Sequence, residues 1–391
     1  MADCHAWTRG EQQMHGSTAG SSRQRVARAA LAVAAALVLA GPAAAQAPLL
    51  TTEDQLQGGT VPAAIEAFWR QRGQPGQISG QGGLALATQR FLQPDRATEK
   101  GAIVLVSGRT ESMLKYKEVV YDLFRNGWSV YIHDHRGQGL SEREPEVRDA
   151  PQKGHVNRFD DYVADLDTWL STQVLPAGHA RRFLWAHSMG GAITARYLQS
   201  GRPSVAQVQA AVLSSPMLAV VGLVPGLSAE LFSCNLLAHS AVALGAASNW
   251  HWGGGPYRPA DVQDNKYSRS AVRSQRMVDQ AEEAPATKLG SPTWGWVARS
   301  CDAAHAARSE AAAVQTPLLL MVAGGDRIVL NDGAASFCQR MAAAHPGAGC
   351  GGPDGGPVVI PGAEHELLIE GDARRSQAMG QALAFLAQHG R

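Results

Sequence analysis

The chain has no excess of charge of either sign. Its 391 residues carry 35 Lys and Arg against 34 Asp and Glu, a net charge of +1, and charged residues are 18% of the composition. A protein that binds nucleic acid through its phosphates needs a basic surface. The composition therefore argues against a nucleic-acid partner and favours a small molecule or a lipid as the substrate.

Cysteine is scarce, and its spacing excludes the common zinc and redox sites. None of the five cysteines forms a C-x-x-C pair. His133, Asp134 and His135 are adjacent, but neighbouring strand residues point to opposite faces of a sheet, so they do not form a shared set of ligands. The sequence therefore predicts neither a metal nor an organic cofactor.

The first 45 residues are predicted to be a secretory signal. A cluster of arginines precedes an uncharged Ala, Leu and Val run over 29–40, and an A-x-A site follows before Gln46. The strongly apolar part is about a dozen residues, shorter than the roughly 20 that a membrane-spanning helix needs. We therefore expect an exported protein, periplasmic or secreted. An uncleaved anchor is the alternative, and a start at Met14 instead of Met1 stays open.

Export would place the remaining cysteines in an oxidising compartment. Removal of the signal takes Cys4 and leaves four cysteines, which permits two disulfides with three possible connectivities. The simplest arrangement pairs Cys338 with Cys350 and Cys234 with Cys301. Four reduced and partly buried thiols are the alternative.

The most informative stretch is 183–191, with the sequence FLWAHSMGG. An apolar run ends at Ser188, and a helix-compatible segment, 192–199, follows at once. This order is typical of a nucleophile elbow, where crowding two residues to either side of the serine favours glycine. Ala186 replaces the first glycine, and we expect its methyl group to be tolerated. A phosphate-binding loop is the alternative, but this stretch lacks both G-x-G-x-x-G and a G-K-[ST] ending.

Strand and helix patterns alternate on both sides of this turn. Apolar runs predict strands at 84–91, 102–106, 128–133, 210–213, 318–323 and 358–360, and helical spacing predicts helices at 114–126, 160–174 and 372–388. Successive strand, helix and strand units produce a parallel sheet. The predicted fold class is therefore α/β, a mostly parallel sheet with helices on both faces.

The alternation disappears over 217–313, which we interpret as an inserted lid. Four of the nine tryptophans lie in this predicted lid, among glycines and prolines, which favours an apolar cover. Two roles remain open for this apolar cover, packing inside the protein and transient contact with a membrane surface. The predicted organisation is a signal peptide at 1–45, an N-terminal segment at 46–83 that contains a Gly/Gln-rich turn, and a core at 84–216 and 314–391.

The residue types that activate a serine occur in a fixed order along the chain. A serine hydroxyl needs a neutral imidazole to take its proton and a carboxylate to hold that imidazole in the right tautomer. Ser188, Asp326 and His365 follow the order Ser, Asp, His, and each comes just past the end of a predicted strand. We therefore predict that these three residues are catalytic.

Other residues compete for two of these roles. Asp332 is the rival acid, although it lies deeper in its loop toward the next helix. His345 and His389 are the rival bases, the first beside a proline and the second on the terminal tail. A structural role is the alternative for His365, since single histidines are common at loop ends.

The loop 107–111 follows the strand at 102–106 and is predicted to complete an oxyanion hole. In this arrangement the loop supplies one backbone N–H, and the residue after the nucleophile supplies the other. Arg109 and Met189 are therefore the predicted donors, through their main chains. A surface salt bridge is the alternative role for Arg109. The polar turn at 134–141 is expected to support the rim of the site.

Together these motifs resemble those of bacterial lysophospholipases related to monoacylglycerol lipases, within the α/β-hydrolase family. The resemblance rests on 107–111, 134–141, 186–191, 290–296 and 362–368 and runs from about residue 91 to the C-terminus. It implies a serine hydrolase that cleaves carboxylic esters of single-chain lipids. Ser107 is a departure, because the monoacylglycerol lipase type has histidine there. The lysophospholipase branch, with a Gly-Arg pair in this loop, is more similar.

The resemblance also implies roles and a mechanism. Ser188 would be the nucleophile, His365 the base and Asp326 the acid of a two-step acyl transfer that needs no cofactor. One alternative is a short-chain carboxylesterase or serine peptidase of the same fold, because one triad serves esters and amides. The other is a secreted binding protein that has lost catalysis, which would require a broken triad.

Overall fold

One eight-stranded sheet organises the chain. A computed structural model describes residues 47–221, 229–263, 265–345, 347 and 349–390, so the predicted signal peptide lies outside the described residues. The strands are β1 Gln74–Ser79, β2 Ala85–Phe91, β3 Gly101–Val106, β4 Trp128–His133, β5 Arg182–His187, β6 Ala210–Ser214, β7 Leu318–Ala323 and β8 Val358–Ile360. Their order in the sheet is β1-β2-β4-β3-β5-β6-β7-β8.

Most neighbouring strands are parallel. β1 pairs with β2 and β2 with β4 in antiparallel fashion, whereas every pair from β4 through β3 to β8 is parallel. All residues of β3, β4, β6 and β7 are buried. Burial of both faces explains why these strands are continuous apolar runs without polar alternation. The predicted α/β fold with a mostly parallel sheet is confirmed.

Helices cover both faces of this sheet. They are α1 Glu53–Gln57, α2 Thr60–Arg72, α3 Lys117–Arg125, α4 Phe159–Trp169, α5 Met189–Gln199, α6 His239–Ala243, α7 Ala271–Glu283, α8 Trp294–Ser309, α9 Asn331–Ala344 and α10 Asp372–Gln388. Val104 of β3 packs in one apolar cluster with residues of α4, α5 and α8, and the adjacent Leu105 packs in another with residues of α3 and α10. This division follows from the two-residue period of a strand.

The N-terminal segment differs from the sequence prediction. The sequence predicts a Gly/Gln-rich turn there, but Gln74–Ser79 form β1 and extend the sheet beyond β2. Only Ile78 of this strand is buried. An edge strand held by backbone pairing needs no alternation of apolar and polar residues. The sequence of β1 therefore lacks the pattern that predicts a strand.

Two predicted helices are shorter than expected because their ends adopt other helical forms. The segment predicted at 114–126 begins as the 3-10 turn Met113–Tyr116 before α3 starts at Lys117. The segment predicted at 160–174 ends as the π-helical turn Leu170–Val174 after α4. Apolar spacing alone does not distinguish these forms from an α-helix.

The predicted lid, 217–313, contributes no strand to the sheet in its described residues. It contains α6, α7 and α8. Trp294 and Trp296 at the start of α8 are buried, whereas Trp252 is 71% exposed. The predicted interruption of the strand and helix alternation is therefore confirmed, and the movement of this segment as a lid stays a prediction.

In the described part of the chain, no helix has both the length and the apolar character that crossing a bilayer would require.

Both disulfides of the simplest pairing are present. Cys234–Cys301 joins the helical segment Ala229–Ala238 to α8, and Cys338–Cys350 joins α9 to the segment that precedes β8. Each bond closes a loop and so limits the freedom of the unfolded chain. The alternative of four reduced thiols is wrong for this structure.

Candidate active site

Ser188 lies in a tight turn between β5 and α5. Its backbone has φ 51° and ψ −117°, a conformation that costs free energy in a residue with a side chain. The Ser188 N–H donates to Ser214 O at 3.1 Å, and the Ser188 carbonyl accepts from the N–H groups of Gly191 and Met217. These bonds to β6, to α5 and to the segment after β6 hold the strained turn and present the hydroxyl at the end of the sheet.

The glycines after Ser188 are required by close packing. A Cβ on Gly190 would lie 2.2 Å from Val106 O, and one on Gly191 would lie 2.5 Å from Pro216 Cβ. Ala186 by contrast is accommodated in β5, where it is fully buried. The predicted strand, tight turn and helix around Ser188 and the tolerance of alanine are both confirmed. The role of Ser188 as the nucleophile stays a prediction.

The structure brings Ser188, Asp326 and His365 together from three separate loops. His365 Nε2 lies 2.9 Å from Ser188 Oγ, and His365 Nδ1 lies 2.8 Å from Asp326 Oδ2. Asp326 Oδ1 accepts the backbone N–H groups of Ile328 and Val329, which fixes the carboxylate. All three side chains are largely withdrawn from solvent, and Ser188 is 8% exposed.

The charge on Asp326 selects the tautomer of His365. Burial alone would raise the pKa of Asp326, but the hydrogen bond from His365 and those from Val329 and Ile328 hold this pKa below its ordinary value. An ionised Asp326 accepts the Nδ1 proton of His365. Nε2 is then free of hydrogen and accepts the Ser188 hydroxyl, the arrangement that proton removal from a serine requires.

The rival residues lie in other environments. Asp332 is in the first turn of α9, while His365 Nδ1 is bonded to Asp326. His345 Nε2 lies 2.7 Å from Ala312 O, and His389 Nδ1 lies 2.9 Å from Phe385 O. Neither histidine is bonded to a carboxylate among the described residues, and the geometry therefore favours the predicted set.

The two predicted oxyanion donors have unoccupied N–H groups. Within the described residues, no acceptor takes the backbone N–H of Arg109 or of Met189. Met189 is the first residue of α5, where helix geometry leaves the N–H free. These N–H groups are available to a ligand oxygen near Ser188.

The polar turn at 134–141 supports the loop that carries Arg109. Gln138 Nε2 donates to Gly108 O at 2.8 Å and to Glu111 O at 3.0 Å. The His135 ring lies 3.0 Å from Ser107 O, and the Gly108 N–H donates to the carboxylate of Glu111. The expected supporting role of this turn is confirmed.

A buried charge cluster beside the site was missed by sequence reasoning. Lys115 Nζ bridges the carboxylates of Glu111 and Glu366, at 2.6 Å from Glu366. Glu366 Oε2 also lies 3.2 Å from His187 Nε2, and the His187 ring packs on His365 with centroids 4.8 Å apart. His187 and Glu366 flank the predicted nucleophile and base directly in the sequence, and this adjacency was the available signal.

Charges within the cluster shift the pKa values of Glu366 and His187. Burial alone would raise the pKa of Glu366, but His187 and Lys115 hold it well below its ordinary value. Burial alone would lower the pKa of His187, but Glu366 and Glu111 raise it. His187 therefore keeps its proton to a higher pH than a free imidazole does.

Three members of this cluster have side chains of the kind that bind metals. Ligand atoms of Glu111, His187 and Glu366 lie within 4.8 Å of one another. The Lys115 ammonium already contacts both carboxylates, so a metal ion would have to displace it. The donor set therefore fits the bound ammonium better than a metal, and no step of the chemistry below uses one.

The cluster predicts a pH-dependent stability. A folded-state pKa of His187 above the unfolded value contributes stability fully at pH below that unfolded value and loses it as pH rises through the folded pKa. We expect His187→Gln to lower the free energy of unfolding by about 3 kcal/mol at pH 6, the cost of breaking a buried ion pair, and by much less at pH 9. Urea denaturation at the two pH values measures this difference.

The matched control is His345→Gln, because His345 contacts a backbone carbonyl rather than a carboxylate. Its loss of stability at pH 6 should be much smaller than that of His187→Gln, because it breaks no contact with a carboxylate. An equal loss of stability at both pH values in His187→Gln would contradict the raised pKa of His187.

Ser188 and His365 open into a cavity of about 380 Å³. One part of its wall is apolar, formed by side chains of the predicted lid and the core, among them Met217, Val220, Leu289, Met277 and Ile328. Arg109, Arg258 and Lys115 also line it. A site of this size and composition suits a ligand with an apolar chain and a polar end.

Known proteins match this chain along most of its length. The Hydrolase_4 family model, described as serine aminopeptidase, S33, matches residues 97–372. Lysophospholipase L2 of Escherichia coli (strain K12) is 37% identical over 82% of this chain and 89% of that protein. The probable lysophospholipase L2 of Haemophilus influenzae is 30% identical over 79% of this chain and 90% of that protein.

Solved structures agree on the fold. A soluble variant of monoglyceride lipase from Saccharomyces cerevisiae aligns with a TM-score of 0.59 at 17% identity, over 81% of this chain and 94% of that one. The sheet, the elbow at Ser188 and these matches lead to one assignment. The chain belongs to the Hydrolase_4 family of α/β-hydrolases and is a serine ester hydrolase similar to the bacterial lysophospholipases L2.

Proposed function

We propose that this protein hydrolyses the carboxylic ester of single-chain lipids, with lysophospholipids as its main substrates. The observation that carries the proposal is the Ser188, His365 and Asp326 constellation, which opens into a partly apolar cavity of about 380 Å³. The similarity to lysophospholipases L2 over most of both chains supports the same substrate class.

The proposed mechanism is acyl transfer through an acyl-enzyme. Ser188 Oγ attacks the ester carbonyl while its proton moves to His365 Nε2, and Asp326 stabilises the imidazolium. The N–H groups of Arg109 and Met189 donate to the oxyanion. His365 then protonates the departing alcohol. In the second step His365 takes a proton from water, and the hydroxide attacks the acyl carbonyl. The bond to Ser188 Oγ then breaks, His365 returns the proton to Ser188 Oγ, and the fatty acid leaves.

A panel of four substrates tests this proposal. It contains a lysophosphatidylcholine, a monoacylglycerol of the same chain length, p-nitrophenyl butyrate and an aminoacyl p-nitroanilide. We expect kcat/KM for the lysophospholipid to exceed that for the anilide by at least about 100-fold. The reason is that the pocket would lack a free anionic group to bind the amino terminus of an aminopeptidase substrate. Faster cleavage of the anilide than of either lipid would contradict the proposal.

Peptide hydrolysis is the second candidate, because the matching family model is described as a serine aminopeptidase. Recognition of a free amino terminus requires an anionic group that is available in the pocket. Glu111 and Glu366 line the cavity, but Lys115 already contacts both carboxylates, and His187 contacts Glu366. The pocket therefore favours an ester of a lipid over a peptide amide.

We further propose that the protein is exported and that the predicted lid touches the lipid surface. Two disulfides, which persist in oxidising compartments, support export. Intact-mass analysis of cell fractions should find a mature chain that begins at Gln46 outside the cytoplasm.

Trp252 in the predicted lid is 71% exposed and supports the contact with the lipid surface. Vesicle binding should weaken in Trp252→Ala, and equal binding by both proteins would contradict the contact.

A further inference from the structure

The side chain of Arg109 carries a charge into the cavity that no described carboxylate neutralises. Its Nη1 donates to Thr110 Oγ1 at 2.6 Å, and its Nη2 donates to Gly290 O at 2.9 Å. Its Nε is buried and has no hydrogen-bond partner among the described residues. The guanidinium has five N–H donors in all, and these two bonds are the only ones that it makes among the described residues.

Two other cations line the cavity, and only one of them, Lys115, has carboxylate partners in the described part of the chain. Lys115 is held between Glu111 and Glu366, which leaves neither carboxylate free for Arg109. Arg258 also lines the cavity and is exposed, and it too has no carboxylate partner among the described residues. One half-buried and one exposed arginine therefore leave this part of the cavity positively charged.

The charge on Arg109 persists at neutral pH. Burial lowers the pKa of Arg109 to about 10, which still leaves the guanidinium protonated. A desolvated cation without a counter-ion is unfavourable, and a bound anion would relieve that cost. The planar guanidinium matches a phosphate group better than other cationic side chains do, because two parallel N–H bonds reach two oxygens.

We propose that the Arg109 guanidinium binds the phosphate of a lysophospholipid head group and makes the enzyme selective for phosphate-bearing single-chain lipids over neutral monoacylglycerols. This inference rests on the proposed function and names the group that recognises the substrate.

The covalent structure of the substrate agrees with this placement. The Arg109 N–H is a proposed oxyanion donor, so the ester carbonyl of a bound lipid lies beside the backbone of the same residue. The arginine side chain has as many bonds between Cα and Cζ as a 1-acyl lysophospholipid has between its ester oxygen and its phosphorus. The side chain is therefore long enough to contact the phosphate of such a lipid while the N–H of the same residue binds the carbonyl.

The guanidinium is held in place before a ligand arrives. It lies over the Trp296 ring at 4.9 Å, and a Cβ on Gly154 would come within 2.2 Å of Nη2. Preorganisation of this kind raises affinity, because less side-chain freedom is lost on binding. The same contacts allow a different role, in which Arg109 only fastens the predicted lid through Gly290 and Trp296. That role would affect every substrate alike.

Arg109→Gln separates the two roles, because glutamine keeps the backbone N–H of the oxyanion hole and removes the charge. The substrates are a short-chain lysophosphatidylcholine and the monoacylglycerol of the same chain, both below their micelle concentrations. We expect kcat/KM for the lysophospholipid to fall about 10- to 100-fold, the usual effect of losing hydrogen bonds to a charged group. The loss for the monoacylglycerol should be at least about tenfold smaller, and Arg109→Lys should be intermediate for the lysophospholipid.

The matched control is Arg143→Gln. Arg143 donates to Ala286 O in the predicted lid at 3.1 Å but does not line the cavity. It should change the rates for both lipids by the same factor. An equal loss for both lipids in Arg109→Gln would overturn the proposal.

Binding of an ether-linked lysophospholipid provides a readout that does not depend on turnover. This analogue has no scissile ester, and a 1-O-alkylglycerol of the same chain is its neutral counterpart. In a calorimetric titration, Arg109→Gln should weaken binding of the phosphate-bearing analogue and affect binding of the neutral one much less. Glycerophosphocholine and inorganic phosphate, titrated alone, distinguish a lipid head-group site from a general anion site. Tighter binding of inorganic phosphate than of the analogue would overturn the proposal.

The two readouts also separate the inference from the function on which it rests. If the wild-type protein hydrolyses neither lipid, the proposed function fails, while the titration with the ether analogue still decides the head-group site. Equal affinity of the wild-type protein and Arg109→Gln for that analogue would contradict the site even if the lysophospholipid is cleaved rapidly.

Discussion

Ser188→Ala is expected to lower kcat on a lysophospholipid by about 10⁵- to 10⁶-fold, the loss typical of a serine nucleophile whose triad partners act as a unit. Ser188 Oγ is the atom that His365 Nε2 contacts at 2.9 Å, and alanine leaves the imidazole without a proton to take. The fold should be unchanged, because the backbone bonds that hold the elbow do not use the side chain. Release of fatty acid measures the loss, and circular dichroism checks the fold.

Ser215→Ala is the matched control for this substitution. Ser215 is also buried at the end of a neighbouring strand, has φ 44° and has a hydroxyl without a partner among the described residues. We expect its kcat to remain within about threefold of the wild-type value, since removal of a hydroxyl that makes no bond costs little. A larger loss in Ser215→Ala than in Ser188→Ala would contradict the assignment of the nucleophile.

Asp326→Asn is expected to lower kcat by roughly 10⁴-fold. Asparagine can still accept the N–H groups of Ile328 and Val329 through its carbonyl oxygen, so the loop keeps its shape. Its amide would then face His365 Nδ1 with a donor instead of an acceptor. His365 would adopt the other tautomer, in which Nε2 carries the hydrogen and cannot take the proton of Ser188.

Asp332→Asn is the control for Asp326→Asn. Asp332 is the rival carboxylate and lies in α9, the helix that follows the loop of Asp326. It lies in the first turn of α9, and we expect only a small change in kcat. The comparison requires kcat as well as KM, since a tautomer effect acts on the chemical step and leaves binding of the lipid largely intact. A greater loss of kcat in Asp332→Asn than in Asp326→Asn would contradict Asp326 as the acid of the triad.

The buried strands and their ends were predictable from the sequence because each carries a strong local signal. The boundaries of β4, β7, β8 and α10 agree with the apolar runs and the helical spacing. Catalytic side chains of an open parallel sheet gather where strands end, so the residue types that follow β5, β7 and β8 identified Ser188, Asp326 and His365. Their contacts within 3 Å confirm the predicted juxtaposition.

The features that the sequence did not predict depend on contacts between distant segments. β1 pairs through its backbone and buries one side chain, so its composition resembles a turn. Lys115 and Glu366 are 251 residues apart, and neither has a local pattern that identifies its partner. The sequence does not distinguish the side chain of Arg109 from a surface cation, because its position against Gly290 and Trp296 follows from how the predicted lid packs.

Labelling with a fluorophosphonate tests the proposed nucleophile most directly. The serine oxygen displaces fluoride and forms a bond to phosphorus, which requires the activated hydroxyl, the base and the oxyanion hole together. We expect the wild-type protein to gain one label on the peptide that contains Ser188, and His365→Ala to react far more slowly. A label on a different residue, or none on a folded wild-type protein, would contradict Ser188 as the nucleophile.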